Sequence, residues 1–342
     1  MKKVFFGFIA MTLLVAEEGQ IPSKIDTGLP VNLDQIQAGI SQSGRFQVRD
    51  GWGGGFTLKF NEYAPSGDSR EIAYESTTLQ QPEGKVATFD SKYHAGFSAG
   101  VVLNLPYDHW TVSGDYLWFL GTEEVNKDDS FYFSPVFNLP PFDLVMDFFH
   151  SKWRLQVNVG DLTLSRAYYS GTNLTFEPLL GFKVAVIEDD FKLVANVITE
   201  SLVSQETWVE SSSWGVGPKL GVKGNWLLGG GFSFFGNVSS ALLYTTYTDL
   251  EVTYLNSLGA SSLARNNNAQ IVQPIIDTSV GFNLGTSAWK NSFFINLEIS
   301  YNFAVFFSQN MGRALVSTAT STQATPANLY LQGVSVGLGF IF

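Results

Sequence analysis

The sequence predicts an all-β chain, an antiparallel transmembrane β-barrel of about 12 strands (range roughly 10–16), from three observations. Nine segments alternate apolar and polar residues with period two, the signature of a strand. In each, the apolar face carries no charge, as a wall between lipid and water requires. Short and long connections alternate between the segments, matching short periplasmic turns and long external loops.

Residues 1–16 read as a secretory signal peptide: Lys2 and Lys3 form the basic start, Val4 to Val15 the apolar stretch, and Ala16 the cleavage residue. The stretch is too short to span a bilayer, which needs about 20 apolar residues. Residues 17–51, polar with Pro22 and Pro30, form a periplasmic lead-in or a short plug. The barrel occupies 52–342. Its first strand carries Phe56, Leu58 and Phe60 against Thr57 and Lys59. In the second, Tyr93, Ala95, Phe97, Ala99, Val101, Leu103 and Leu105 face lipid, with His94, Gly96, Ser98, Gly100, Val102 and Asn104 behind them. The third runs from Trp110 to Leu120. Further strands follow at 153–159, 174–186, 214–222, 232–244, 276–284, 293–303 and 330–342, with a weaker one at Phe191 to Ile198. That list gives eleven. With both termini periplasmic the number is even, so a twelfth is expected within Ser130 to Asn138, where Phe131, Phe133 and Phe137 alternate loosely. Short turns are expected at Pro106 to His109, Glu188 to Asp190, Leu227 to Gly230 and Ser287 to Asn291. Trp110, Trp226 and Trp289 lie beside short turns, where an interfacial girdle needs amphipathic rings.

Charges within the strands share one parity: Lys59, Asp115, Arg154, Glu177, Lys183, Lys219, Lys223, Asp277 and Glu298. A lysine or arginine at the bilayer midplane costs about 2–4 kcal/mol, so lipid enforces this segregation. These residues are expected to line the pore. A soluble sandwich also alternates, but its polar face is richer in Lys, Glu and Thr than the Gly, Ser and Asn found here. Asp161 and Arg166 join the pore-lining set. They sit where Leu162 and Leu164 fall on the opposite parity from Trp153 and Val159, which reads as a β-bulge that re-aims an ion pair at the lumen.

Composition narrows the remaining chemistry. The chain has no cysteine, so disulfides, thiolate metal sites and a cysteine-linked lipid anchor are excluded. Its net charge is −11, becoming −13 once Lys2 and Lys3 leave with the signal, which argues against nucleic acid as a partner. Acidic groups cluster in presumed loops (Glu123, Glu124, Asp128, Asp129; Glu200, Glu206, Glu210; Asp249, Glu251) and read as ordinary solvated loops, with a divalent-cation or lipid-headgroup site as the alternative. No metal ligand set, cofactor or catalytic group is assigned, and the chain is not expected to be an enzyme. His94 and Ser98 lie about 13 Å apart along one strand, too far for a nucleophile and base. Gly53-Gly54-Gly55 and Gly229-Gly230-Gly231 lack the following Lys-Ser/Thr of a phosphate loop and read as strand-end and turn glycines.

The C-terminal strand places Tyr330, Val334, Val336, Leu338, Phe340 and Phe342 on one face. Phe340 and Phe342 supply the terminal aromatic signal expected for the barrel-assembly machinery. Trp153 to Tyr169 (WRLQVNVGDLTLSRAYY), then Leu174 to Pro178 and Gly181 to Lys183, resemble the pore-forming major outer membrane proteins of Legionella and of chlamydia-like bacteria. Leu297 to Tyr301, Gln309-Asn310 and Leu331 to Phe342 are similar as well. Chlamydial major porins are cysteine-rich, a departure that removes disulfide-linked envelope packing. The resemblance implies an outer-membrane porin for passive diffusion of small hydrophilic solutes or ions. The alternatives are a transporter of hydrophobic compounds in which residues 17–51 plug the lumen and a lateral opening exists, and a surface adhesin or structural barrel with a closed lumen. Expected partners are outer-membrane lipid and lipopolysaccharide, the assembly machinery, small solutes and, in a homo-oligomer, further copies of the chain.

Overall fold

The computed structural model describes residues 53–342 apart from 68–71, 77–83, 88, 90–91, 106–109, 128–130, 134–143, 171–172, 199–202, 257–260, 267, 289–292 and 312–325. The expected signal (1–16) and lead-in (17–51) lie outside the described residues. Among the described residues fifteen strands follow in order: β1 (Gly53–Gly67), β2 (Ile72–Ser76), β3 (Gly84–Ala87), β4 (His94–Asn104), β5 (Trp110–Lys127), β6 (Phe131–Phe133), β7 (Leu144–Arg166), β8 (Tyr168–Ser170), β9 (Leu174–Ile198), β10 (Val203–Gly229), β11 (Phe232–Asn256), β12 (Ser261–Arg265), β13 (Ala269–Ala288), β14 (Phe293–Asn310) and β15 (Ala327–Ile341).

Ten of them close a barrel in the order β1-β4-β5-β7-β9-β10-β11-β13-β14-β15, each antiparallel to its neighbours, with β15 pairing back onto β1. The short strands β2, β3, β6, β8 and β12 pair outside this ring. At the seam, Phe60 opposes Val336, and Gly54 and Phe342 exchange both backbone hydrogen bonds. Closure leaves no unpaired edge to face lipid.

The expected count of twelve is corrected to ten, for two reasons. Of the stretch Ser130 to Asn138 expected to supply the twelfth strand, the described residues Phe131–Phe133 form β6, which pairs with the outer end of β7 and with β2 and is no part of the ring, while 130 and 134–138 lie outside the described residues. The expected turn at Glu188 to Asp190 does not exist, because β9 runs unbroken from Leu174 to Ile198. Along β9 the odd-numbered residues are buried from Lys183 to Ala195, while the even-numbered ones point outward. Outward residues are apolar up to Val186 (Leu180 is 62% exposed and Phe182 61%), and above it Glu188, Asp190, Lys192 and Asn196 make the face mainly polar, with half-buried Val194 among them. The backbone alternation never changes. What changes is the surroundings, from lipid to water.

The same boundary crosses the neighbouring strands. On β10 the outward face is apolar or aromatic from Trp226 to Trp214 and polar at Ser212 and Glu210. On β7 the exposed apolar residues are Leu162 and Leu164, among the described side chains, and Asn158, Gln156 and Arg154 lie above them. The expected bulge near 161 is absent: β5 and β7 pair in continuous register from Trp110↔Arg166 to Lys127↔Phe149. A true bulge occurs in β11, where Thr248 is inserted between Ser213↔Tyr247 and Ser212↔Asp249. It moves the buried parity from Tyr247 to Leu250 and Val252.

At roughly 3.3 Å per residue and a tilt of about 40°, Leu174 to Val186 rises about 30 Å, close to an outer-membrane apolar band. β7, β9, β10 and β11, at 23 to 27 residues, stand well above it, whereas β4 has 11. At the other end β10 and β11 join through Gly230 and Gly231. Gly229, Gly230 and Gly231 all adopt positive φ (100°, 61° and 82°), a backbone that side-chain-bearing residues rarely take. Turns are short at that end and longer at the opposite one, which by the barrel rule makes it periplasmic.

Candidate functional site

The lumen has two levels. Within the lipid band it holds a cavity of about 380 Å³, lined among others by Lys59, Asp115, Asp161, Glu177, Lys183, Lys219, Lys223, Asp277 and Glu298. Strand parity explains the ring: each of these residues occupies the inward register of its strand, opposite outward Leu, Val and Phe.

The charges are wired together across strands. Asp161 of β7 receives Lys183 of β9 and Lys219 of β10, both at 2.9 Å. Lys183 also reaches Asp277 of β13, at 3.1 Å, so one ammonium ties together walls that are not adjacent in the ring. Lys59 meets Glu298 at 2.6 Å, and Ser165 donates to Glu177 at 2.5 Å. Lys183 is 2% exposed. An ion buried to that degree survives only when paired and hydrogen-bonded. Asp115 faces the cavity opposite Gly100, where a Cβ would collide with the Asp115 carboxylate and the Thr57 hydroxyl.

Two arginines do not join them. Arg154 points outward above the band and pairs with Asp190 at 3.7 Å. The alternation predicts that the apolar series Trp153, Leu155, Val157, Val159 faces lipid, but it is buried inside the barrel, which turns Arg154 out to water. Arg166 is outward at the turn end, donating to the Tyr168 hydroxyl at 3.3 Å and lying over the Trp110 and Tyr168 rings. No lumenal Asp161–Arg166 pair forms, because five positions along one strand place the two on opposite faces.

Above the cavity the lumen becomes apolar. Tyr63, Phe119, Trp153, Leu155, Val157, Ile187, Leu243, Ile275, Phe306 and Leu331, from strands all around the ring, form part of one buried cluster. Phe89, from the connection between β3 and β4, packs against it, 5.9 Å from the Trp153 ring. Glu123, 1% exposed, accepts from the Lys92 backbone at 2.8 Å and contacts His94 at 2.9 Å, fastening the end of that connection. Thus His94 partners Glu123, while Ser98 accepts from Asn61.

Sequence reasoning missed a polar rung through this septum. Beyond Phe306↔Leu329, β14 bulges before pairing again at Asn310↔Ala327, and Ser308 adopts φ 57°. The Ser308 backbone donates to Asn328 Oδ1 at 3.1 Å. Gln309, 1% exposed, donates to Ser213 of β10 at 3.0 Å and accepts from Gln273 of β13 at 2.7 Å. Its carbonyl accepts from the Tyr247 hydroxyl of β11 at 2.8 Å. A Gln at an inward register position was the available signal, but the bulge has no sequence mark.

Outside the barrel above the band lies a surface of paired charges: Lys152–Glu124 (2.8 Å), Lys192–Glu206 (3.5 Å) and Arg265 with Asp249 (3.3 Å). Lys152, by hydrogen bond and charge, holds the Glu124 carboxyl below its ordinary range. Burial, then neighbouring Asp190, Glu251 and Asp249, push Glu210 up. The acids expected in loops at 123–124, 206–210 and 249–251 therefore lie on strands that overtop the membrane, while Asp128, Asp129 and Glu200 lie outside the described residues. Among the described residues no group of three or more His, Cys, Asp or Glu is placed to hold a metal ion.

A closed antiparallel barrel with an apolar band outside and ionised groups inside defines an outer-membrane β-barrel protein. The chain belongs to the Legionella pneumophila major outer membrane protein family, whose sequence model matches residues 62–342, and is a protein of the bacterial outer membrane. Similar solved structures include the outer membrane protease OmpT from Escherichia coli (10% identity, TM-score 0.38, 85% of this chain and 96% of that one). The P. putida toluene transporter TodX has 9% identity and a TM-score of 0.34, over 84% and 89% of the two chains. A major outer membrane protein from Thermus thermophilus has 11% identity and a TM-score of 0.32, over 84% and 99%. Likeness at this level carries no argument about activity. No curated protein matches the chain.

Proposed function

We propose that this protein is a narrow outer-membrane channel passing small ions and hydrophilic solutes by passive diffusion. The observation that carries the reading is the ring of ionised side chains around a cavity at the level of the lipid band. Well-packed apolar residues stabilise an interior at least as well as ion pairs do, so a barrel built only for stability has no need of these charges. Ten strands enclose far less than the 16–18 of wide aqueous porins, which limits traffic to small species. The reading assigns no catalysis. Its partners are the lipid and lipopolysaccharide around the band and the solutes in the lumen.

The apolar septum favours a second reading, a closed barrel that displays its overtopping strands at the cell surface. Planar-bilayer recording of the refolded protein separates the two. A channel gives stable current steps whose reversal potential across a salt gradient moves toward cations in Lys59→Gln, which deletes a lumenal positive charge. A correctly folded barrel that stays silent at every voltage tested overturns the channel and leaves the closed barrel.

A further inference from the structure

We infer that residues 307–310 form the gate of the channel, a strap folded into the lumen and latched by Gln309 to β10, three strands round the ring. The inference rests on the channel reading and names the part that regulates it. Three features converge on this segment. First, β14 leaves its register with β15 after Phe306, and Ser308 takes a positive φ, so these residues do not simply continue the wall. A non-glycine residue in that region is held there by its surroundings rather than by preference.

Second, the bulge sends Gln309 across the lumen rather than along it. Its amide donates to Ser213 Oγ on β10, two strands beyond the adjacent β13. The rung is satisfied at each end: Gln273 bridges the Gln309 side chain and the Phe307 carbonyl, and Thr245 donates to Gln273 at 3.0 Å.

Third, the strap lies where the two lumen levels meet. Phe306, immediately before it, borders the charged cavity and also belongs to the apolar cluster. The latch consists of neutral hydrogen bonds, from the Gln309 side chain to Ser213 and Gln273 and from Tyr247 and Gln273 to the strap carbonyls, each weaker than a charge-assisted bond. The charged belt below is held by multiple ion pairs, so the strap is the weaker closure of the two. Moving 307–310 back toward the wall withdraws Gln309 from the septum and carries Phe306 with it, which loosens the apolar cluster that separates the cavity from the outer face.

The chain lacks cysteine, so a pair can be introduced cleanly. In Ser213→Cys with Gln309→Cys, a short reducible bis-thiosulfonate linker joins the strap to β10, with linkage confirmed by mass spectrometry. Linked protein is expected to lose single-channel openings about tenfold or more, and reductant to restore them. Gln309→Ala, which removes the latch, raises the open fraction in the same recordings. Equal conductance before and after confirmed linkage overturns the gate and leaves the channel standing. Failure of the folded double variant to link also overturns it, since the two sites then do not face each other. Silence from both the reduced double variant and the unmodified protein overturns the channel reading itself.

Discussion

Along β7 and β9 the lower and upper halves of this barrel share one strand and one alternation, yet their chemistry is turned inside out. On β9 below Val186, Phe182 and Leu180 point outward and Lys183 inward; above it, Glu188 and Lys192 point outward and Ile187, Phe191 and Leu193 inward. The lower half is a membrane barrel and the upper half has the organisation of a soluble one. A single hydrogen-bonded wall can serve both solvents, because the backbone is satisfied within the sheet and only the side chains must match what lies outside. Period two identifies a strand. Which parity is apolar identifies the solvent.

Substitutions at matched positions test this division. Trp153→Ala, in the upper core, is expected to cost about 3–5 kcal/mol in urea titrations of the folded protein, because its cavity cannot refill. Phe182→Ala, facing lipid, should cost clearly less, since acyl chains occupy the space. Equal losses would break the comparison. Next in size, Leu180→Arg on the lipid face should cost about 2–4 kcal/mol, whereas Glu188→Arg, eight residues along the same outward face, should stay within about 0.5 kcal/mol. If both are tolerated, the boundary at Val186 is misplaced. Arg154→Gln removes an exposed pair with Asp190 and should cost less than about 1 kcal/mol while leaving reversal potential unchanged. A shift as large as that of Lys59→Gln would return Arg154 to the conducting path.

The smallest effect concerns pH. The folded pKa of Glu210 is raised by burial and by its acidic neighbours, so its ionised form is less favourable in the folded state than in the unfolded one. The resulting penalty is fully present above the raised value and vanishes as pH falls below the ordinary carboxylate range. Glu210→Gln should therefore stabilise the protein at neutral pH by about 0.5 kcal/mol or less, given its exposure and solvent screening, and the gain should fade in acid. A gain that persists unchanged in acid would exclude charge as its cause.

The lower half was legible because lipid imposes one rule on every strand. Lys59, Asp115, Lys183, Lys219 and Asp277 could be placed inside simply by opposing Leu, Val and Phe. The upper half was ambiguous, because apolar residues that change parity have two explanations. At Leu162 the change reflects a new solvent, with register intact; at Thr248 it reflects an inserted residue. Both produce the same string of letters. Reading the first as the second moved Arg154 and Arg166 into the lumen, and reading Glu188 to Asp190 as a turn added a strand. The strap at 307–310 was out of reach for another reason. Its inward course depends on partners on β10, β11 and β13, far away in sequence, and on a bulge that no Gly or Pro announces.

The seam between β1 and β15 sets the order of events in assembly. Phe60 must wait for Val336, and Gly54 for Phe342, so one edge of β1 stays open until nearly all the remaining chain has been made. Such non-local pairing is slow, and an open edge beside Phe56, Leu58 and Phe60 invites pairing with the wrong chain. Insertion of this barrel is thereby bound to follow synthesis rather than accompany it. Something other than its own last strand has to shelter the first one in the interval.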